Sequence, residues 1–422
     1  MRVLVIGSGA REDALAWRIA ESASCEALFS APGNVGTAAR GGTWAIPATD
    51  GKQLARRCLD ERIDLAVLGP ETAIAAGVGD RLREAGVAVF GPNRSAGRLE
   101  SSKVFAKRFM QRYGVPTAKA SVVHSLDAAV RVLDHHRGAG GIVLKADGLA
   151  SGKGVVVAAD LAAAKKTLAD WYGAGHVPGG GSAVLIEEFL QGREVSYFAL
   201  SDGEQLLPFG LACDYKRAGD GDTGPNTGGM GAYSPPRGLS EELERVVRER
   251  ILEPMQRGLI AEGERYVGAL YCGLMLTDEG PTVIEFNARF GDPEAQVLVP
   301  RIDGDFARLL HSAATGALDP EAAGFSEKAC VGVVLATGGY PATATPLRGL
   351  PVELEVPEAC RIFWGASTLR DGRADSAGGR VLTVTATDLD VGRARTRAYD
   401  AIRALASQLG ASDLTYRTDI AS

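Results

Sequence analysis

Four short apolar runs in the first hundred residues constrain the fold more than any other feature of this chain. VLVIG, ALFSAPG, LAVLGPE and VAVFGPN each carry a glycine or proline at the carboxyl end. Amphipathic stretches such as EDALAWRIAES and VGDRLREAG separate them. Strands alternating with helices predict a parallel sheet with crossover connections. Ligands of such sheets bind at the carboxyl ends of the strands, where GSGA, APGN and GPET gather. The opening turn is not a dinucleotide fingerprint. Glu12 stands where a third glycine is needed, and the second strand ends in FSAPGN without the acid that would hold a ribose. A dehydrogenase is therefore disfavoured.

At 422 residues the chain is long enough for two to four domains. The formal net charge is −6 and no run of lysine and arginine forms a stripe, which argues against a nucleic-acid partner. Six scattered cysteines without a C-x-x-C pair predict free thiols in a reducing compartment. No apolar run approaches the ~20 residues needed to span a bilayer, so a cytoplasmic protein without a membrane partner is expected. The five histidines do not cluster at ligand spacing, which disfavours a histidine triad or a zinc centre.

Residues 101–325 change character, with a helix and proline stop in SSKVFAKRFMQRYGVP, then pairs of strands joined by short breaks. CDYKRAGDGDTGPNTGGMGAYSPP has no periodicity and reads as one long loop, of a length that is usually functional. The segment 326–422 reads as a small α+β domain.

Three stretches carry chemistry. KADGLASGKGVVV puts Lys145 near a strand end and Lys153 in a glycine-rich turn, a combination that suits phosphate although it is not a Walker loop. In TVIEFNARFGDPEAQ, Glu285 and Asn287 are two apart on one strand face and present two oxygen ligands suited to Mg²⁺. Arg289 continues that face and can hold an anionic substrate or a transferred phosphoryl group, while Ile284 and Phe286 mark the opposite face as buried. In TGPNTGGMGAYSP, Gly224, Gly228, Gly229 and Gly231 allow the backbone to turn N–H groups towards an anion.

Together these stretches resemble the phosphoribosylamine–glycine ligase (glycinamide ribonucleotide synthetase) family of ATP-grasp enzymes. The match is collinear from VLVIGSGARE and APGNVGT through LKADGLASGKGV, IEEFLQGREVS and IEFNARFGDPEAQ to GGRVLTVTA and YRTDI. The resemblance implies an ATP-grasp fold of mixed α/β and α+β type in three domains. These are an N-terminal parallel α/β acceptor-side domain (1–100), an ATP-grasp domain (101–325) with a mobile lobe at about 120–190, and a small C-terminal α+β domain (326–422). It implies a carboxylate–amine ligase that joins glycine to 5-phosphoribosylamine through an acyl phosphate, using ATP and Mg²⁺ (or Mn²⁺). The partners are small molecules, and the expected assembly is a monomer or a small homo-oligomer.

By the same resemblance Lys103, Lys145, Lys153, Glu187 and Glu194 fall among ATP-binding residues, and Glu285 and Asn287 on metal ligands. Asp214, Lys216 and Arg289 fall on the catalytic side, which they share with substrate-binding Gly9, Glu12, Asn34, Gly36 and Glu71. With this set complete, a non-catalytic nucleotide-binding regulator is disfavoured. The chain departs from the family at Asp13 and Tyr215, where histidines are usual, at Thr72–Ile74 and at Ala295. An acid in the first helical turn repels a phosphate placed there, so Asp13 predicts weaker handling of a phosphoribosyl acceptor. The alternative is a paralogous ligase that joins a different acid or amine.

Overall fold

The computed structural model describes residues 1–135, 140–150, 154–175, 177–239, 241–410 and 413–422. The opening alternation folds as expected. Strands β1 (Arg2–Gly7), β2 (Ala27–Pro32), β3 (Gly42–Thr43), β4 (Leu65–Leu68) and β5 (Ala88–Phe90) form a parallel sheet in the order β3-β2-β1-β4-β5. Val3–Ile6 at its centre are fully buried, as a strand covered on both faces requires. Helix α1 (Ala10–Ala20) follows β1 directly, so the GSG turn opens at the carboxyl edge of the sheet.

The middle of the chain divides into a small lobe and a large sheet. Strands β6 (Ala120–Val123), β7 (Ile142–Ala146), β8 (Val155–Ala158) and β9 (Val184–Glu188) form an antiparallel sheet in the order β6-β9-β7-β8. Helices Leu126–Asp134 and Leu161–Gly173 cover it and enclose a separate apolar core around Leu133, Leu144, Leu168 and Val184. In AVLIEEFLQGREVSYFAL the break is more than a turn: β9 belongs to the lobe, while β10 (Arg193–Asp202) enters the large sheet.

That sheet has nine strands and continues into the last hundred residues. Strand β10 pairs with β11 (Leu206–Asp214) and with Val267–Thr277, which in turn pairs with Gly280–Asn287. On the other side β11 pairs with Gly231–Ser234, which pairs with Ala329–Thr337. The stretch GGMGAYSP, expected to be loop, thus ends in a buried strand that joins the two halves. Its glycines and alanine hide the alternation on which a strand reading depends, because neighbouring backbones pack too closely for larger side chains. The rest of that stretch is also ordered: Arg217–Gly219 and Thr223–Asn226 pair as a short antiparallel ribbon. No helix among the described residues is long and apolar enough to cross a membrane.

The separate core of the lobe has a measurable consequence. Leu144 is fully buried in it, so Leu144→Ala should cost about 2–5 kcal/mol. Amide hydrogen exchange should show the lost protection confined to β6–β9, with β1–β5 unchanged. A loss spread evenly over both sheets contradicts this.

Candidate active site

A cavity of about 550 Å³ lies where the parallel sheet, the small lobe and the large sheet meet. Arg11, Glu71 and Glu100 line it from the N-terminal side, Lys145 and Glu187 from the lobe, and Asp214, Lys216, Glu285, Asn287 and Arg289 from the large sheet. Tyr340 and Arg380 close a further edge.

The lobe side is built on an ion triad. Lys145 on β7 and Glu187 on β9 share a face, because Val143 is opposite Glu187 and Lys145 opposite Leu185. Glu187 accepts from Lys145 Nζ at 2.8 Å and faces Lys107 Nζ at 3.0 Å. All three side chains are buried, so two ammonium groups stand against one carboxylate in a nearly dry place. Lys145 also donates to the Ile284 carbonyl at 2.8 Å, across to the large sheet. Burial lowers the Lys107 pKa, with Glu187 opposing it. Lys103 Nζ donates to the Gly148 carbonyl at 2.9 Å, and burial lowers its pKa against the pull of Glu285 and Asp147.

Glu285 and Asn287 lie side by side as expected, but the strand reaches them through a bulge. The register slips between Gly273 and Leu274, which leaves Ile284 unpaired beside Glu285. Val283 and Phe286 are therefore the buried residues here, and Ile284 faces the cavity instead of the opposite side. Burial alone favours a neutral Glu285. Lys216, Lys145, Lys103 and Arg289 outweigh it and hold the carboxyl below its usual range. Arg289 Nη2 pairs with Glu100 at 2.7 Å and reaches Asn287 Oδ1 at 3.4 Å, and its Nε faces Glu71 at 3.3 Å. Burial works against the Arg289 charge, but Glu100 and Glu71 raise its pKa above the ordinary value.

Glu194, expected among ATP-binding residues, pairs with Lys216. Burial pushes the Asp214 carboxyl up to about 8, with Lys216 pulling it down and Glu294 and Glu194 adding to the rise. Burial opposes the Lys216 charge, yet Asp214 and Glu194 hold its pKa well above normal. Lys153 lies outside the described residues. Gly229, with φ +108°, lies against Pro293, whose ring occupies the place a Cβ would take.

The opening turn lies behind this cavity and does not line it. Glu12 turns back to accept from Gly9 N at 2.5 Å and pairs with Arg11 at 2.6 Å, so it occupies the helix N-terminus itself. Asn34 spends its amide on the carbonyls of Ser8, Gly9 and Trp364 and caps the following turn at Thr37. Asp13 is fully buried, with Arg40 Nε at 2.8 Å and Trp364 N at 2.8 Å. Its carboxylate fills the space that a side chain at Gly36 would need. The expectation that Asp13 repels a phosphate is therefore corrected, because the charge is paired with Arg40 and faces the interior. Tyr215 likewise points away: its hydroxyl accepts from Ala421 N at 2.9 Å and its ring lies under Arg417.

Sequence reasoning missed Arg11, Glu100, Lys107, Glu294, Tyr340 and Arg380. Lys107 had a signal, since Lys103, Ala106, Lys107 and Met110 follow helical spacing and all line the cavity. Arg380 lies in the matching stretch GGRVLTVTA, but nothing local places it at the cavity: it reaches the Gly228 and Asp292 carbonyls from a strand distant in sequence.

Two facing α+β units that enclose a cavity lined by charged groups of both signs define an ATP-grasp protein. The descriptions "Phosphoribosylglycinamide synthetase" N domain, ATP-grasp (A) domain and C domain match residues 1–100, 101–295 and 330–422. The chain belongs to the phosphoribosylglycinamide synthetase family. It is 43% identical over 424 residues to the phosphoribosylamine–glycine ligase of Rhizobium meliloti, covering 100% of this chain and 98% of that one. It is 45% identical over 406 residues to that of Mesorhizobium japonicum, covering 95% and 94%. The solved phosphoribosylamine–glycine ligase of Thermotoga maritima superposes with TM-score 0.85 at 32% identity, covering 100% of both chains. A biotin carboxylase domain from Hydrogenobacter thermophilus, solved with MgADP and bicarbonate, shares the fold at TM-score 0.74 and 15% identity, covering 98% of this chain and 91% of that one.

Two outcomes follow from this geometry. Asp13→Ala leaves Arg40 without its partner and should cost about 3 kcal/mol, the low end for a broken buried pair, because Arg40 is 22% exposed. Its KM values should match the parent's; a selective rise for the amine substrate contradicts the assignment. For Asp214 the folded protein holds a proton that the unfolded chain releases near pH 4, so stability falls as pH rises from about 4 to about 8. Asp214→Asn should remove that slope in a melting series from pH 5 to 9, and an unchanged slope refutes the raised pKa.

Proposed function

We propose that this chain is an ATP-dependent carboxylate–amine ligase that joins glycine to 5-phosphoribosylamine through an acyl phosphate. The products are glycinamide ribonucleotide, ADP and phosphate, a step of purine biosynthesis. The observation that carries the reading is the cavity's charge arrangement. Net positive charge from the Lys107–Glu187–Lys145 triad faces an ionised Glu285 and the Asn287 carbonyl. A polyphosphate and a divalent cation together neutralise both.

The donor set fits Mg²⁺ shared with phosphate oxygens. Glu285 and Asn287 offer oxygens only, and no group of three or more acidic, histidine or cysteine side chains arranged for a metal occurs among the described residues. A site with two protein ligands that leaves the remaining positions to phosphate and water is the usual Mg²⁺ arrangement, and the same oxygens serve Mn²⁺. When bound, the ion supplies charge neutralisation between phosphate groups.

The protein's own side chains account for the rest. Lys103, Lys145 and Lys107 hold phosphate charge, with Glu187 fixing the two lysines it touches. Arg289, clamped by Glu71 and Glu100, presents its fork beside Asn287 and orients the acid carboxylate. Lys216 stabilises the charge that develops on the acyl carbon's oxygen. Asp214, with its pKa near 8, takes the proton released as the amine becomes an amide. Asp13 and Tyr215, which suggested a different acceptor, are spent on internal contacts and give that alternative no support.

ADP release should require glycine and freshly generated phosphoribosylamine together. Glu285→Gln should lower kcat by about 100-fold or more. Full turnover in that variant, or equal turnover with unrelated acids, overturns the assignment.

A further inference from the structure

The ribbon that carries Lys216 into the cavity is gripped from outside by a segment far away in sequence. Tyr215 N donates to the Gly231 carbonyl at 2.9 Å and Thr227 N to the Lys216 carbonyl at 2.7 Å, so the ribbon is anchored at its base. Its far end turns at Asp220–Asp222, where Asp222 adopts a left-handed backbone with φ 54°. All three turn residues are exposed.

The hold comes from Arg417–Asp419. Arg417 is 1% exposed, among the largest fully buried side chains described. Its guanidinium donates to Asp222 Oδ1 at 2.7 Å, to the Arg217 carbonyl at 3.2 Å and to Asp419 at 2.6 and 2.7 Å. It also lies over the Tyr215 ring at 4.8 Å. Thr418 N donates to Asp220 Oδ1 at 2.8 Å, and Gly221 N donates to Asp419 Oδ2 at 2.8 Å. These bonds tie the first strand of the ribbon and its turn to the Arg417–Asp419 segment, with the buried Arg417 at its centre.

We propose that Arg417 is a positioning residue for the ligase reaction, acting through Asp222 and the Arg217 carbonyl, with Thr418 holding Asp220, to fix the ribbon that presents Lys216 and Thr227 to the reacting groups. This rests on the ligase reading above. Arg417 touches no lining group of the lobe, so its effect separates the acid and amine side from the nucleotide side.

The test uses the full chain with Asp220→Ala/Asp222→Asn, two exposed positions whose loss leaves the core intact, beside Arg417→Ala. Asparagine keeps the left-handed backbone accessible at residue 222 while removing the carboxylate. In the double variant kcat/KM for glycine and for phosphoribosylamine should fall by about 10- to 100-fold, the scale of a misplacement of about 1 Å. The KM for ATP should stay within about twofold of the parent's. Hydrogen exchange at Thr227 and Tyr215 should quicken, with that of β7 and β9 unchanged. Parent-like kinetics, or an equal loss in the KM for ATP, overturns the proposal. Exchange is read without turnover. If the parent forms no amide the ligase reading fails, and unchanged exchange in the variant still refutes the grip.

Discussion

The Lys145 ammonium is the contact on which the site depends. It donates to Glu187 within the lobe and to the Ile284 carbonyl of the large sheet, and so sets the lobe over the cavity. Glu187 is shared with Lys107, on the helix that leads into the lobe, and the triad keeps a net positive charge almost out of water. Burying unbalanced charge is costly unless something compensates it. Part of that compensation is the ionised Glu285, held by the same cations. Lys103, a further cation, lines the same cavity, where the proposed reaction places phosphate.

The N-terminal sheet contributes less directly than its nucleotide-fold appearance suggests. Its helix N-terminus is closed by Glu12, and its second turn is locked by Asn34 to Ser8, Gly9 and Trp364. Asp13 adds a buried ion pair that reaches the same strand through Trp364 N. These residues hold the N-terminal domain to the distant strand Cys360–Trp364, and Arg11, itself paired with Glu12, lines the cavity from this domain.

Most of this was legible in the sequence wherever a side chain declares its surroundings. Apolar runs gave the parallel sheet, and Glu285-x-Asn287 gave the paired oxygens. What escaped was set by backbone or by long-range contact. The bulge at Ile284 turns one residue of an apparently regular strand, and nothing local marks it. Gly231–Ser234 is a strand because two neighbours approach it closely, whereas its own residues look like turn. Asp13 looked like a misplaced charge because its partner, Arg40, is 27 residues away and joined to it only by the fold.

The central claim is that the carboxylate of the acid is activated by phosphorylation in this cavity before the amine attacks. In that sequence one carboxylate oxygen becomes part of the phosphate that leaves. Glycine labelled with ¹⁸O in both carboxylate positions, turned over with ATP and phosphoribosylamine, tests it directly by ³¹P NMR of the released phosphate. The account predicts one ¹⁸O in each phosphate formed. Unlabelled phosphate, released in step with amide, contradicts it.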